Sequence, residues 1–172
     1  MQKGIKTRSI IHNILKLIKS SYVDFDTALY NETKDENLVI SDIKLIQNVV
    51  LNSLRYHLHV NKIIKKLTKK VKNDSNEYFL LLSAITQIVF LDFKDYAVVN
   101  STVELTKINR HKSSSSFINA VLRNVIKNKD FFKKIEIKFN LLPQWFLDQT
   151  KNISSVEKKT FIDSIIKEPS LH

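Results

Sequence analysis

An all-α fold follows from three observations. The chain of 172 residues holds one glycine and two prolines, too little backbone punctuation for the tight turns of a sheet protein. Apolar residues return at three- and four-residue steps in one segment after another, the period of a helix face packed on a core. Ser, Asp and Asn stand just ahead of several of these segments, where their side chains can accept bonds from the free amides of a first turn. The length suffices for one buried core with a short appendage.

The elements follow in order. Ile10, Ile11, Ile14, Leu15 and Ile18 share one face while Lys16 and Lys19 fall off it, so residues 6–21 form an amphipathic first helix with a basic entry at Lys3, Lys6 and Arg8. Residues 22–37 break the period and read as a loop with one weak turn around Thr27–Tyr30. Ser41 is placed to cap a helix that runs on Ile43, Ile46, Val50 and Leu54. Val60, Ile63, Ile64, Leu67 and Val71 carry the next, with Lys62, Lys65, Lys66, Lys69 and Lys72 opposite. Asn73–Asn76 is a turn and cap cluster. The helix from Glu77 to Leu91 is apolar nearly all round, which places it at the centre, and Gln87 inside it needs a partner from backbone or a neighbouring helix. Helices over 97–108 and 117–127 come next, the second capped by the last members of Ser113–Ser116. Phe131, Phe132, Ile135 and Phe139 close the core in one or two turns. Pro143 suits the first position of a short helix, Ser154 with Glu157 is a capping-box pair, and Pro169 ends the last helix near Lys167.

The formal net charge is +11, the footprint of a protein that meets a polyanion. Only Arg8, Arg55, Arg110 and Arg123 of the 28 basic residues are arginine, so the same lysines also fit the ordinary solvated coat of a lysine-rich chain. The absence of cysteine excludes disulfides and thiolate metal sites and fits a reducing compartment, the cytoplasm. The longest apolar block, Tyr78–Phe93, is interrupted by Ser83, Thr86, Gln87 and Asp92 and is too short for a bilayer span, so no membrane partner is expected. His57 and His59, two apart on a helix, point to different sides and make a poor metal pair. Asn119 among apolar neighbours reads as a tether from helix to backbone, which makes its loss more damaging than that of Arg123. Arg123, one turn later, reads as a salt bridge within the domain or a fork for phosphate.

Gln87, Tyr96-Ala97-Val98-Val99-Asn100, Thr102-Val103-Glu104-Leu105 and Phe117-Ile118-Asn119-Ala120-Val121-Leu122-Arg123 have the order and spacing of the NusB-like helical domain. Residues 6–150 resemble that family, which implies a bundle of about seven helices plus a C-terminal helical extension. The family holds free transcription antitermination factors and the RNA-binding front end of RsmB-type methyltransferases, which methylate C5 of a cytosine in small-subunit ribosomal RNA. Leu54-Arg55 and the closing Asn119–Arg123 motif resemble the methyltransferase branch. Leu142-Pro143-Gln144-Trp145-Phe146-Leu147 looks like the segment leading toward a catalytic domain, and Glu168-Pro169-Ser170-Leu171 like its entry. The glycines usual in the family before Leu-Arg and ahead of Gln87 are replaced here by Asn52 or Ser53 and by Ala84 or Ile85.

The resemblance implies residues 1–140 as an RNA-binding domain and 141–172 as a connector toward a methyltransferase domain that the chain does not contain, with Leu171-His172 as a truncation point. Ribosomal RNA and that missing domain are the expected partners, and a ribosomal protein joins them if the chain is instead an antitermination factor. A helical interaction module that binds no RNA is the third alternative. Lys3, Lys6, Arg8, Arg55, Lys62, Lys66, Lys69 and Arg123 are the candidate RNA contacts. The cysteine that the methyltransferases use as nucleophile is missing, as is a glycine-rich turn for S-adenosylmethionine, because the one glycine is Gly4. S-adenosylmethionine is therefore expected only with the missing domain, and this chain is expected to bind rather than catalyse.

Overall fold

The computed structural model describes residues 3–108 and 114–167, and among them ten α-helices follow one another. They are α1 (Lys3–Ser21), α2 (Phe25–Thr33), α3 (Ile40–Arg55), α4 (His57–Leu67), α5 (Asn76–Val89), α6 (Asp95–Ile108), α7 (Ser115–Lys127), α8 (Lys129–Lys133), α9 (Gln144–Gln149) and α10 (Ser155–Ile166), with a 3-10 turn at Phe139–Leu141. No strand occurs among the described residues. The chain divides into two compact units, the first ending at Lys134 and the second beginning at Ile135. Arg110, His111, Ser113 and Glu168-Pro169-Ser170-Leu171 lie outside the described residues.

The first unit is built round α5, as its composition requires. Every residue from Tyr78 to Val89 is buried, and α1, α3, α4, α6, α7 and α8 pack against this helix. Fully burying side chains such as Phe79, Leu81, Ile85 and Ile88 stabilises the fold by about 1.5–3 kcal/mol each. Three polar members of α5 bond within their own helix: Ser83 donates to the Leu80 carbonyl (3.2 Å), Thr86 to that of Leu82 (2.8 Å) and Gln87 to that of Ser83 (3.1 Å). Gln87 thus finds its partner one turn back rather than on a neighbouring helix. The Ser75 hydroxyl accepts from the Tyr78 amide and starts the helix.

Several boundaries differ from the expectation. Residues 22–37 contain α2, capped by Asp24, whose carboxylate accepts from the Thr27 amide at 2.9 Å. Nine residues with only Ala28 buried give too little periodic signal to be read from spacing; docking on α1 holds the helix, with Asn13 donating to Glu32 at 2.8 Å. This helix is the addition to the seven expected in the bundle. Ser41 lies inside α3, which Val39 precedes without a side-chain cap, and Val71 falls beyond α4, which stops at Thr68. Ser114 precedes α7 without capping it and instead donates to Glu77 at 2.6 Å, tying the start of α7 to that of α5. Tyr22 and Asp92 adopt positive φ, 53° and 52°, so in this glycine-poor chain two non-glycine residues carry left-handed turns. Asp92 also receives Lys129 (3.0 Å) and Lys133 (3.2 Å) from α8.

The second unit has its own small aromatic cluster. Phe146 stacks on Phe161 at 4.9 Å between centroids, and Phe139 lies 6.0 Å from each. Phe139 therefore belongs here rather than to the closure of the bundle core. Pro143 immediately precedes α9, and Ser154 with Glu157 forms the full capping box of α10.

Candidate nucleic-acid interface

The inner face of α4 buries His59, Val60, Ile63 and Ile64, which turns its lysines outward. Lys65, Lys66 and Lys69, the last just past the helix end, are exposed, and Lys62 is half-buried. Lys66 sits 4.5 Å from the ring centroid of Phe131 on α8, a cation–π contact. The Phe131 ring is 53% exposed, so Lys66 lies against an aromatic surface open to solvent. Lys65 and Lys69 rim a cleft of about 350 Å³ with Asn61, Thr68 and Tyr78, in which the Tyr78 hydroxyl donates to Asn61 Oδ1 at 2.7 Å. Burial of that phenol pushes its pKa up.

His59 underlies this face. Tyr56 and Phe90 stack at 4.1 Å with an interplanar angle of 4°, and the His59 ring meets both edge-on at 5.8 and 5.6 Å. Burial, and then the neighbouring His57 and Lys62, push the His59 pKa down to about 4. His57 donates from Nδ1 to the Leu54 carbonyl (2.8 Å); desolvation lowers its pKa, the Leu54 bond opposes that, and Lys19 of α1 adds to the lowering. No group of three His, Cys, Asp or Glu among the described residues is placed to hold a metal.

The other candidate contacts stand on other helices. Lys3 opens α1. Lys6 forms an ion pair with Glu36. Arg8 is half-buried, donates to the Gly4 carbonyl at 3.1 Å, and has its pKa lowered by burial. Arg55, at the end of α3, donates to Asn52 Oδ1 at 2.6 Å, while Asn52 donates to the Asn48 carbonyl at 2.9 Å. Arg123 is exposed on α7 and lines a cleft toward α6. Lys62 and Lys66 thus stand on α4 and Lys69 just past its end, while the rest are distributed over α1, α3 and α7.

Two features escaped the sequence reading. The spacing places Phe131 in the core beside Phe132, yet its ring is exposed while Phe132 is buried, a difference that spacing does not signal. The α6–α7 cleft, about 490 Å³, brings Asp95 and Tyr96 opposite Asn119 and Arg123; only helix pairing joins residues so far apart. Asn119 is half-buried and makes no hydrogen bond to a described residue, so it is a lining residue of the cleft and not a backbone tether. The residues present do not fit an S-adenosylmethionine site of the strand–glycine-turn type: Gly4 lies within α1 and no strand occurs among the described residues.

Comparison with known proteins agrees with this architecture. The NusB family model matches residues 5–127. The chain is 30% identical over 119 residues to the transcription antitermination protein NusB of Buchnera aphidicola subsp. Cinara cedri, covering 67% of this chain and 83% of that protein. It is 28% identical over 114 residues to the probable ribosomal RNA small subunit methyltransferase B of Coxiella burnetii, covering 62% of this chain and 26% of that protein. A solved chain from the structure titled "Crystal Structure of a Plectonemic RNA Supercoil" superposes with a TM-score of 0.67 at 18% identity, covering 78% of this chain and all of that one. With the motif order, the helical bundle and the family match over most of its length, the chain belongs to the NusB family.

Proposed function

We propose that this chain binds ribosomal RNA and serves as the front end of a small-subunit ribosomal RNA cytosine-C5 methyltransferase whose catalytic domain lies outside these residues. The observation that carries RNA binding is the exposed Lys65, Lys66 and Lys69 along and just past α4, with Lys66 beside the exposed ring of Phe131: ammonium groups neutralise phosphates while a ring face stacks a base. The choice of branch is supported by a compact second unit beyond the family match and by Arg123 at the close of the α7 motif. The reading places the chain in the cytoplasm. Its own residues bind and orient RNA; methyl transfer from S-adenosylmethionine belongs to the other domain.

A second reading is favoured by three of the relatives, which carry the name transcription antitermination protein NusB. In it the chain binds RNA together with a ribosomal protein. Fluorescence anisotropy with a small-subunit ribosomal RNA fragment tests both readings. Binding that weakens linearly in log–log salt coordinates is expected. Salt-independent or absent binding overturns the RNA-binding reading altogether. Tightening of RNA binding on addition of a ribosomal protein replaces the first reading by the second.

A further inference from the structure

The α6–α7 cleft combines groups that no single ion satisfies. Val99 and Val103 contribute apolar lining, and the Tyr96 ring, 74% exposed, stands among the lining residues. One carboxylate oxygen of Asp95 is shielded from solvent without a hydrogen bond, and the soft terminal torsion of aspartate lets that oxygen turn toward a donor placed in the cleft. The Arg123 guanidinium and the Asn119 amide line the α7 side with no hydrogen bond to a described residue. An anion would meet the Asp95 carboxylate and a cation the Arg123 guanidinium. The fitting occupant is neutral and flat, with donors on one edge, acceptors on another and a π face for Tyr96.

Guanine has this pattern. Its N1–H and N2–H₂ donors suit a carboxylate, its O6 and N7 acceptors suit a guanidinium, and its ring stacks on an aromatic side chain. Adenine and uracil lack the adjacent pair of donors. We propose that the α6–α7 cleft receives one unstacked guanine of single-stranded RNA, with Asp95 reading its donor edge, Arg123 its acceptor edge and Tyr96 its face. This inference rests on the RNA-binding reading and adds a base preference that the lysine face of α4 cannot supply, since phosphate contacts carry no sequence information.

The test uses the full chain with labelled eight-nucleotide oligouridylates carrying a central guanosine, inosine or adenosine. Inosine lacks only the N2 amine of guanosine. The guanosine oligomer is expected to bind about tenfold more tightly than the inosine oligomer. Asp95→Asn should bring the two within about twofold while leaving the salt dependence unchanged, because the carboxylate touches no phosphate. Tyr96→Ala, at an exposed ring, should weaken all three by about tenfold. Equal binding of guanosine and inosine oligomers by the wild type, with salt-dependent affinity intact, overturns the cleft proposal alone. Persistence of the guanosine preference in Asp95→Asn overturns it as well. Failure to bind any oligomer at low salt removes the RNA-binding reading and the cleft proposal with it.

Discussion

Replacing Lys65, Lys66 and Lys69 together by alanine should lower the salt slope of RNA binding by about two units, because each contact with single-stranded RNA contributes about 0.7. The structure singles out these three. They are exposed along and just past α4, whereas Lys6 is already paired with Glu36 and Arg8 is half-buried against the Gly4 carbonyl. A difference of two units means that a fourfold rise in salt weakens the wild type about sixteenfold more than the variant. Lys6→Ala serves as the contrast, with an expected slope change below about one unit, since its ammonium is substantially neutralised before RNA arrives. Anisotropy titrations at four or five salt concentrations measure both, and urea midpoints check that the variants fold. The lost cation–π contact of Lys66 with Phe131 is worth only about 0.5–1 kcal/mol, so the fold should survive. An unchanged slope in the triple variant refutes the assignment to α4, and a large change in Lys6→Ala moves the RNA face to α1.

Three further outcomes follow from the packing. His59, held at about 4 against an ordinary 6.5, stays neutral in the fold while the unfolded chain takes up a proton. Its contribution is full above pH 6.5 and lost as pH falls toward 4, about 1–3 kcal/mol once water at the ring edge is allowed for; urea midpoints between pH 7 and 4.5 should fall less steeply for His59→Leu, and an unaltered pH dependence refutes the burial argument. Tyr22→Gly should raise stability by about 0.5–1 kcal/mol, seen as a higher urea midpoint, because a side chain that is 93% exposed at a φ of 53° gives up strain and little contact; a lowered midpoint means that the ring stabilises the α1–α2 turn. Asn119→Ala and Arg123→Ala should each shift stability by less than about 1 kcal/mol, since neither side chain bonds a described residue; a loss of 2 kcal/mol or more for Asn119→Ala restores it as a tether.

The helix class, the central position of α5 and the capping box at Ser154 were legible in the residues alone, because periodicity and caps act within one or two turns. So was the family, whose motifs are carried mainly by α5, α6 and α7. Helix α2 was not, since nine residues with one buried side chain are held by α1 rather than by their own pattern. The lysines of α4 could be placed on one face from spacing, yet their meeting with Phe131 depends on α8 folding back beside them. Asn119 shows the same limit: an amide among apolar neighbours reads as buried, and only the pairing of α6 with α7 turns it toward an open cleft. Local sequence determines which face of each helix is apolar, because burial free energy follows periodicity; which polar groups then face one another across two helices is decided by the packing of those faces, and that is where the candidate site resides.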